Sequence, residues 1–533
     1  MDRGYSILPE GREGAGRDGG VSKDCRNVQG GSVVRAGEGS RVSGRDALEP
    51  LVAALDLGSS SVRALVFDAR GRMVEGSLAR RAVRFRSLPD GRVEAGADGL
   101  VEGAFSALDE CLAGLGKETG KIAAVATCSF VTNILGVDEG GRALTPVSTY
   151  ADTRAAKEAE ELAEFLDLQA YRERTGCLFH PSYLPARFLW WKKRAECIFR
   201  TVKRWVSLGE YMHLRLFGDA KVSFSAASWS GLLDRKHLEW DRETLEVLPI
   251  GPENLSPLCD LDEPARGLRG GFRDRWPSLA EVPWFPAVGD GAAANVGTGC
   301  LGPDRAALTM GTSTALRVIL PGREISPPPG LWAYLVDRNR SLLGGALTEG
   351  GSIHAWMKDV LRLPRDFEEK ASGLPPGAGG VTVLPLLGGE RSPGWASRAF
   401  GVAAGLTFGT GPVELARAFL EGVSLRAALV YRALVPFLEE GHQVVAGGGA
   451  LQASPLWRRI TADALGAPLV LSRVEEPSAR GAALLALKAL GVLEDLSRVP
   501  ASPGEVLEPD PEAGKAYEEI LARQEEIYRK FFL

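Results

Sequence analysis

The stretch LDLGSSSVRALVFD, Leu55 to Asp68, has a near-copy in LTMGTSTALRVIL, Leu308 to Leu320. Laying Gly58 on Gly311 places Ser59 on Thr312, Ser60 on Ser313 and Ser61 on Thr314, with a short β-prone run after each. The copies lie 253 residues apart, about half of the 533-residue chain. A strand, a Gly-Ser/Thr turn and a returning strand thus open each half, and the chain reads as a duplicated α/β fold.

Working outward, LVAALDLG is a buried strand, SVRALVFDARGRMVEG a hairpin turning at ARGR, LVEGAFSALDECLAGL an amphipathic helix and IAAVATCSF a further strand. Helices dominate from Ala155 to Leu248, where Trp190, Trp191, Trp205, Trp229 and Trp240 supply large apolar anchors, most of them core. A second α/β segment begins near Val288. It includes the strong helix PVELARAFLEGVSLRAALVYRAL, a strand running into glycines in QVVAGGGALQ, and the helix SARGAALLALKALGV. Residues 1–50 carry hardly a cluster of apolar side chains and read as a disordered tail, with a basic tether or an over-early start codon as alternatives. The expected organisation is a tail at 1–50, domains at 51–298 and 299–500, and a solvated amphipathic helix at 501–533.

Composition narrows the function. Hydrophobic residues at 45% and charged residues at 25% suit a globular protein with a sizeable core. A net charge of −5 argues against a general nucleic-acid binder, which needs a basic surface. The seven cysteines are scattered without a C-x-x-C pair, which points to no disulfide frame or zinc site and to the cytoplasm. No run of about 18 apolar residues suggests a membrane span, and the amino terminus lacks a signal-peptide core.

The turns are the first candidates for chemistry. Gly58 with Ser59 and Ser60, and Gly311 with Thr312 and Ser313, offer hydroxyls beside consecutive amides, able to hold phosphate oxygens. Either alone is an ordinary polar turn. Two copies across a duplicated fold suit a di- or triphosphate in an interdomain cleft. Asp56, where the second copy has Thr309, would repel such an anion without a cation between them and so suggests Mg²⁺; capping of the turn is its structural alternative. In VGDGAAANVGTGC, Asp290 follows an apolar strand end and opens an Ala-rich helix, as a general base for a substrate hydroxyl or as a helix N-cap. Gly447, Gly448 and Gly449 expose backbone that can lie against a purine or ribose, and GGALTEGG is a further close-approach loop. Neither a Rossmann fingerprint nor a P-loop is present, so ATP would be held without either.

With these residues in hand, the chain resembles an FGGY-type carbohydrate kinase of the actin and hexokinase superfamily. The likeness runs from about Leu51 to Val492 and rests on six motifs in order: DLGSSSVRALVFD, VGDGAAANVGTG, MGTSTALRV, LGGALTEGGSIHAWM, GERSPGWASRAFGVAAGL and AGGGALQASPLWRRITADALGAPL. It implies two ribonuclease-H-like (actin-like ATPase) domains closing over a cleft. Asp290 would then be the catalytic base and Asp56 the Mg²⁺-associated carboxylate. Gly58, Ser59, Ser60, Gly311 and Thr312 would lie at the phosphates, and Gly447, Gly448 and Gly449 at the adenosine.

The middle of the chain resembles gluconate kinases in LTPVSTYADTRA, YRERTGCLFHPSYLPARFLWW and VSLGEYMHLRLFG. It departs from the pattern at Thr132, where relatives carry a His, at Tyr150 in place of a Trp, and at Arg187 in place of a Lys. Thr132, Tyr150, Asp152, His180 and Ser182 are the sugar-pocket candidates, their groups suited to hydrogen bonding a polyol; a structural role is the alternative for His180. The expected activity is an ATP- and Mg²⁺-dependent kinase for a sugar or sugar acid, with gluconate leading and xylulose or another ketose second. A gluconate carboxylate would need a cation that the sequence does not identify. A nucleotide-binding regulator without transfer is the reading of another class, which a retained Asp290 disfavours. The expected partner is the small-molecule substrate; a homodimer is left open.

Overall fold

All seven positions of the strand Leu51–Leu57 are buried, as expected of a strand covered on both faces of a sheet. The computed structural model describes residues 41–499 and 501–533, all within the unit Gly39–Leu533. Leu51–Leu57 forms an antiparallel hairpin with Ser61–Phe67 and runs parallel to Ile122–Ser129, beside which Val288–Gly289 adds a further parallel strand. The second half repeats the order. Arg305–Met310 pairs antiparallel with Thr314–Pro321 and parallel with Gln443–Gly447, followed by Leu469–Ser472. Each half is thus a hairpin extended on one side by antiparallel and on the other by parallel strands, the duplication expected from the repeated stretch.

The two halves meet through a pair of helices. Asp290–Gly297 leaves the last strand of the first sheet, and Pro477–Ala489 leaves Leu469–Ser472 in the second. They cross at glycines: a Cβ on Gly481 would lie 1.8 Å from the Ala293 carbonyl oxygen, and one on Gly297 1.9 Å from that of Pro477. Only glycine permits this approach. The apolar face of Pro477–Ala489 then shares one core with Val52, Ala54, Leu65 and Ala124 of the first sheet. Ahead of that helix, Glu476 pairs with Arg63 at 3.4 Å and Arg80 at 2.7 Å, adding a polar clip between halves.

Two boundaries differ from the expectation. Arg41–Val42 is a strand parallel to Met73–Val74, with Val42 buried and Arg41 paired to Glu475, so residues 41–50 belong to the first domain and not to a tail. A two-residue strand carries too little pattern to be read ahead of its partner. The rest of the expected tail lies outside the described residues. At the other end, Pro503–Leu507 is a strand antiparallel to Leu469–Ser472 before the helix Pro511–Phe532 begins. That helix packs Tyr517, Ile520 and Leu521 into the second core. Among the tryptophans, Trp191, Trp205 and Trp229 are core, and Trp229 also borders the cavity described next.

Candidate active site

Asp290 is set by sheet register. Val288 and Gly289 pair with Cys128 and Ser129, and Asp56 pairs with Cys128 in the neighbouring strand, so both carboxylates stand at the same end of the sheet. Gly289 occupies the N-cap position and Asp290 is the first residue of the helix, its Oδ1 accepting the Gly291 amide at 2.8 Å. Its side chain is therefore no cap. Burial pushes the Asp290 carboxyl up to about 6; Arg317 opposes the rise and Asp56 adds to it. A base titrating near 6 is ionised at pH 7 yet basic enough to take a hydroxyl proton.

The first turn is closed by the Gly58 amide donating to the Ser61 carbonyl at 3.2 Å. A Cβ on Gly58 would lie 2.7 Å from that oxygen, which requires glycine. Ser59 is half-buried and Ser60 exposed. Asp56 is buried, its Oδ2 accepting from Arg63 at 2.6 Å and its Oδ1 from the Cys128 thiol at 3.4 Å. The second turn is closed by Gly311 N–H to the Ser313 carbonyl at 3.0 Å. Gly351 and Ser352 in turn donate to the carbonyls of Gly311 and Thr312, at 2.6 and 3.1 Å. The loop GGALTEGG is thus a brace beneath the second turn. Gly448, at φ 97°, where an added Cβ would lie 2.4 Å from the Met310 carbonyl oxygen, lays Gly447–Gly449 against the same turn. A Cβ on Gly311 or Gly449 would meet nothing within 4 Å, so both keep an open face for a ligand.

A cavity of about 140 Å³ adjoins Asp290. Its wall includes Thr132, Tyr150 and Ser182 from the first half and Ser313, Arg317 and Arg391 from the second. Tyr183, Trp229, Trp332, Tyr334 and Trp395 give it an aromatic lining. Two non-glycine residues on this wall, Thr132 and Trp395, hold φ of 54° and 57°, a conformation that costs energy and collects at functional sites.

Asp152 and His180 stand behind the wall. Asp152 accepts Arg154 Nη2 at 2.7 Å and the Val93 amide at 3.2 Å, which occupies its carboxylate. His180 Nδ1 accepts the Ser182 amide at 3.1 Å, and burial with Arg391 and Arg187 nearby pushes its pKa down to about 3. It is a neutral brace for Ser182, whose hydroxyl donates to the Tyr150 carbonyl at 3.0 Å. Arg187 ties the same loops, donating to the carbonyls of Pro181, Thr132, Thr149 and Ser182. Arg317, Arg391 and the aromatic box went unread in the sequence.

Two ribonuclease-H-like halves around such a cleft define an actin-like phosphotransferase architecture. Residues 51–297 match the N-terminal domain of the FGGY family of carbohydrate kinases and 306–490 its C-terminal domain, and the chain belongs to that family. It is an ATP-dependent sugar kinase. Gluconokinase from Bacillus subtilis (strain 168) is 27% identical over 84% of this chain and 88% of its own. A gluconate kinase structure from Lactobacillus acidophilus superposes with a TM-score of 0.81 at 26% identity, covering 90% of this chain and 98% of its own. A ligand-bound xylulose kinase structure from the same organism has the same TM-score, identity and coverage. No described helix is long and apolar enough to cross a membrane.

Proposed function

We propose that the chain phosphorylates a terminal hydroxyl of gluconate, with Asp290 as general base. The observation that carries the reading is one cavity wall holding both Asp290 and Ser313 of the second phosphate turn, so that acceptor and phosphate chain face each other. The substrate hydroxyl gives its proton to Asp290 as its oxygen attacks the γ-phosphorus. The bond from that phosphorus to the β,γ-bridging oxygen breaks, and ADP leaves with the electron pair. Amides of Gly58, Ser59 and Ser60 and of Gly311 and Thr312 hold the phosphates as charge shifts, and Gly447, Gly448 and Gly449 lie against the adenosine. Thr132, Tyr150 and Ser182 bind the polyol, while Asp152 and His180 position them from behind.

No group of three or more His, Cys, Asp or Glu among the described residues could by itself hold a metal ion. Mg²⁺ takes one or two carboxylates together with substrate phosphates and water, and needs no such group. Asp56, with Asp290 close enough to feel its charge, is the carboxylate that would hold it. When bound, Mg²⁺ offsets phosphate charge. The described cysteines are all unpaired, which suits the cytoplasm as the compartment.

Xylulose is the second reading, supported by the equal likeness to the xylulose kinase. ADP release from Mg-ATP across gluconate, xylulose, ribulose and glycerol tests both. Turnover fastest on gluconate supports the proposal and fastest on xylulose supports the second reading. ATP binding with no turnover on any polyol would overturn both and favour a regulatory clamp.

A further inference from the structure

The cavity holds more positive charge than its own residues compensate. Its charged side chains are Asp290, Arg317 and Arg391, and neither arginine lies within ion-pair distance of a carboxylate among the described residues. Arg317 donates from Nη1 to Thr309 Oγ1 at 3.5 Å, while its buried Nε has no acceptor; nor has the buried Nε1 of Trp229 on the same wall. A buried guanidinium left as Arg317 is left is costly unless a ligand completes it.

For Arg391 the cause can be traced. Its sequence neighbour Glu390 points away, accepting from Arg426 and from the Tyr528 hydroxyl, the latter at 2.6 Å. Glu349 is turned to the Gly388 amide at 3.3 Å, and Asp152 is held by Arg154. Arg391 itself gives Nη2 to the Leu347 carbonyl and lies over the Tyr150 ring, 5.6 Å from its centroid. The second half thus presents a guanidinium to the first half across the cavity, toward the wall of Tyr150 and Ser182. Arg317, by contrast, stands by Gly291 beside Asp290, where its Nε is 3.2 Å from the position of a Gly291 Cβ.

We infer that Arg391 is the specificity-determining residue for a carboxylate at the end of the substrate chain remote from the reacting hydroxyl, so that the cavity selects polyhydroxy acids over neutral polyols. The inference rests on the kinase reading above and deepens its substrate class. A carboxylate supplies the acceptors that the arginine lacks and neutralises it in an aromatic-walled space. A ketose of similar length would leave the half-buried guanidinium without a carboxylate partner, and an unmet polar group is the usual way a site rejects a near-isostere.

The test compares gluconate with gluconamide, the same chain with its charge removed, by calorimetric binding and by ADP release from Mg-ATP. Preference for gluconate of about 100-fold in Kd and in kcat/KM is expected, the scale of a buried charge pair losing one partner. Arg391→Gln is expected to collapse that ratio toward unity, with Arg391→Lys retaining part of it. Gluconamide within threefold of gluconate on the wild-type enzyme, or an unchanged ratio in a folded Arg391→Gln protein, overturns the inference. The wild-type pair decides even where the variants do not fold. Preferential gluconate binding without ADP release would sink the kinase reading and leave the carboxylate clamp standing; release with no preference does the reverse.

Discussion

The two hairpins share a backbone plan and divide its work. The first turn has four residues between the paired Leu57 and Val62; the second has three between Met310 and Thr314. In the first, Arg63 lies directly across from Asp56 and is bound to it at 2.6 Å. In the second, Thr309 replaces the carboxylate and Arg317 reaches only its hydroxyl, at 3.5 Å, while also lining the cavity. Duplication set the positions of the turns, but the residue across from Thr309 is Ala315, and Arg317 lies across from Ala307, so the second hairpin has no counterpart of the first one's cross-strand ion pair. The first hairpin's arginine is paired with a carboxylate, and the second hairpin's arginine faces the cavity.

The largest effect that would break this comparison is on stability. Arg63→Gln leaves the buried Asp56 without its cation and is expected to cost about 3–5 kcal/mol in denaturant unfolding. Arg317→Gln breaks no ion pair and should cost under about 1 kcal/mol, while kcat/KM falls roughly 100-fold because a cavity charge is lost. Equal destabilisation by the two would show that Arg317 is structural as well. A smaller contrast sharpens the account at the turns. Gly58→Ala must displace the Ser61 carbonyl and is expected to lower stability by about 1–3 kcal/mol. Gly311→Ala meets open space and should change stability by less than about 0.5 kcal/mol while raising KM for ATP. If Gly311→Ala leaves ATP binding untouched, its open face is not the phosphate site.

Local chemistry made half of this legible. A Gly-Ser/Thr turn is written within a few residues, so both hairpins, the duplication and Asp290 at its strand end could be read directly. The pairing of Asp152 with Arg154 was local as well and could have been anticipated from its two-residue spacing. Arg391 could not, because its availability depends on where Glu390 goes, and that is decided by Arg426, 36 residues on, and Tyr528, 138 residues on. The carboxyl-terminal helix, silent as sequence, thereby supports the cavity through Tyr528. Arg317 stood in the repeated stretch itself. Its signal was a charge inside an otherwise apolar strand, and no register match to Arg63 marks it, because Ala315 stands opposite Thr309.

The central claim is that Asp290 takes the proton from the acceptor hydroxyl. Its most direct test is kcat for ADP release with saturating Mg-ATP and the preferred polyol, followed from pH 5 to 8 in the wild type and in Asp290→Asn. Because folding raises this carboxyl to about 6, the base is lost as pH falls through that value. Wild-type kcat should therefore level off above it and drop about tenfold per unit below it. Asp290→Asn should bind ATP normally, lose at least about 100-fold in kcat and show no such limb. A variant within tenfold of wild type, with the acid limb intact, would contradict the assignment.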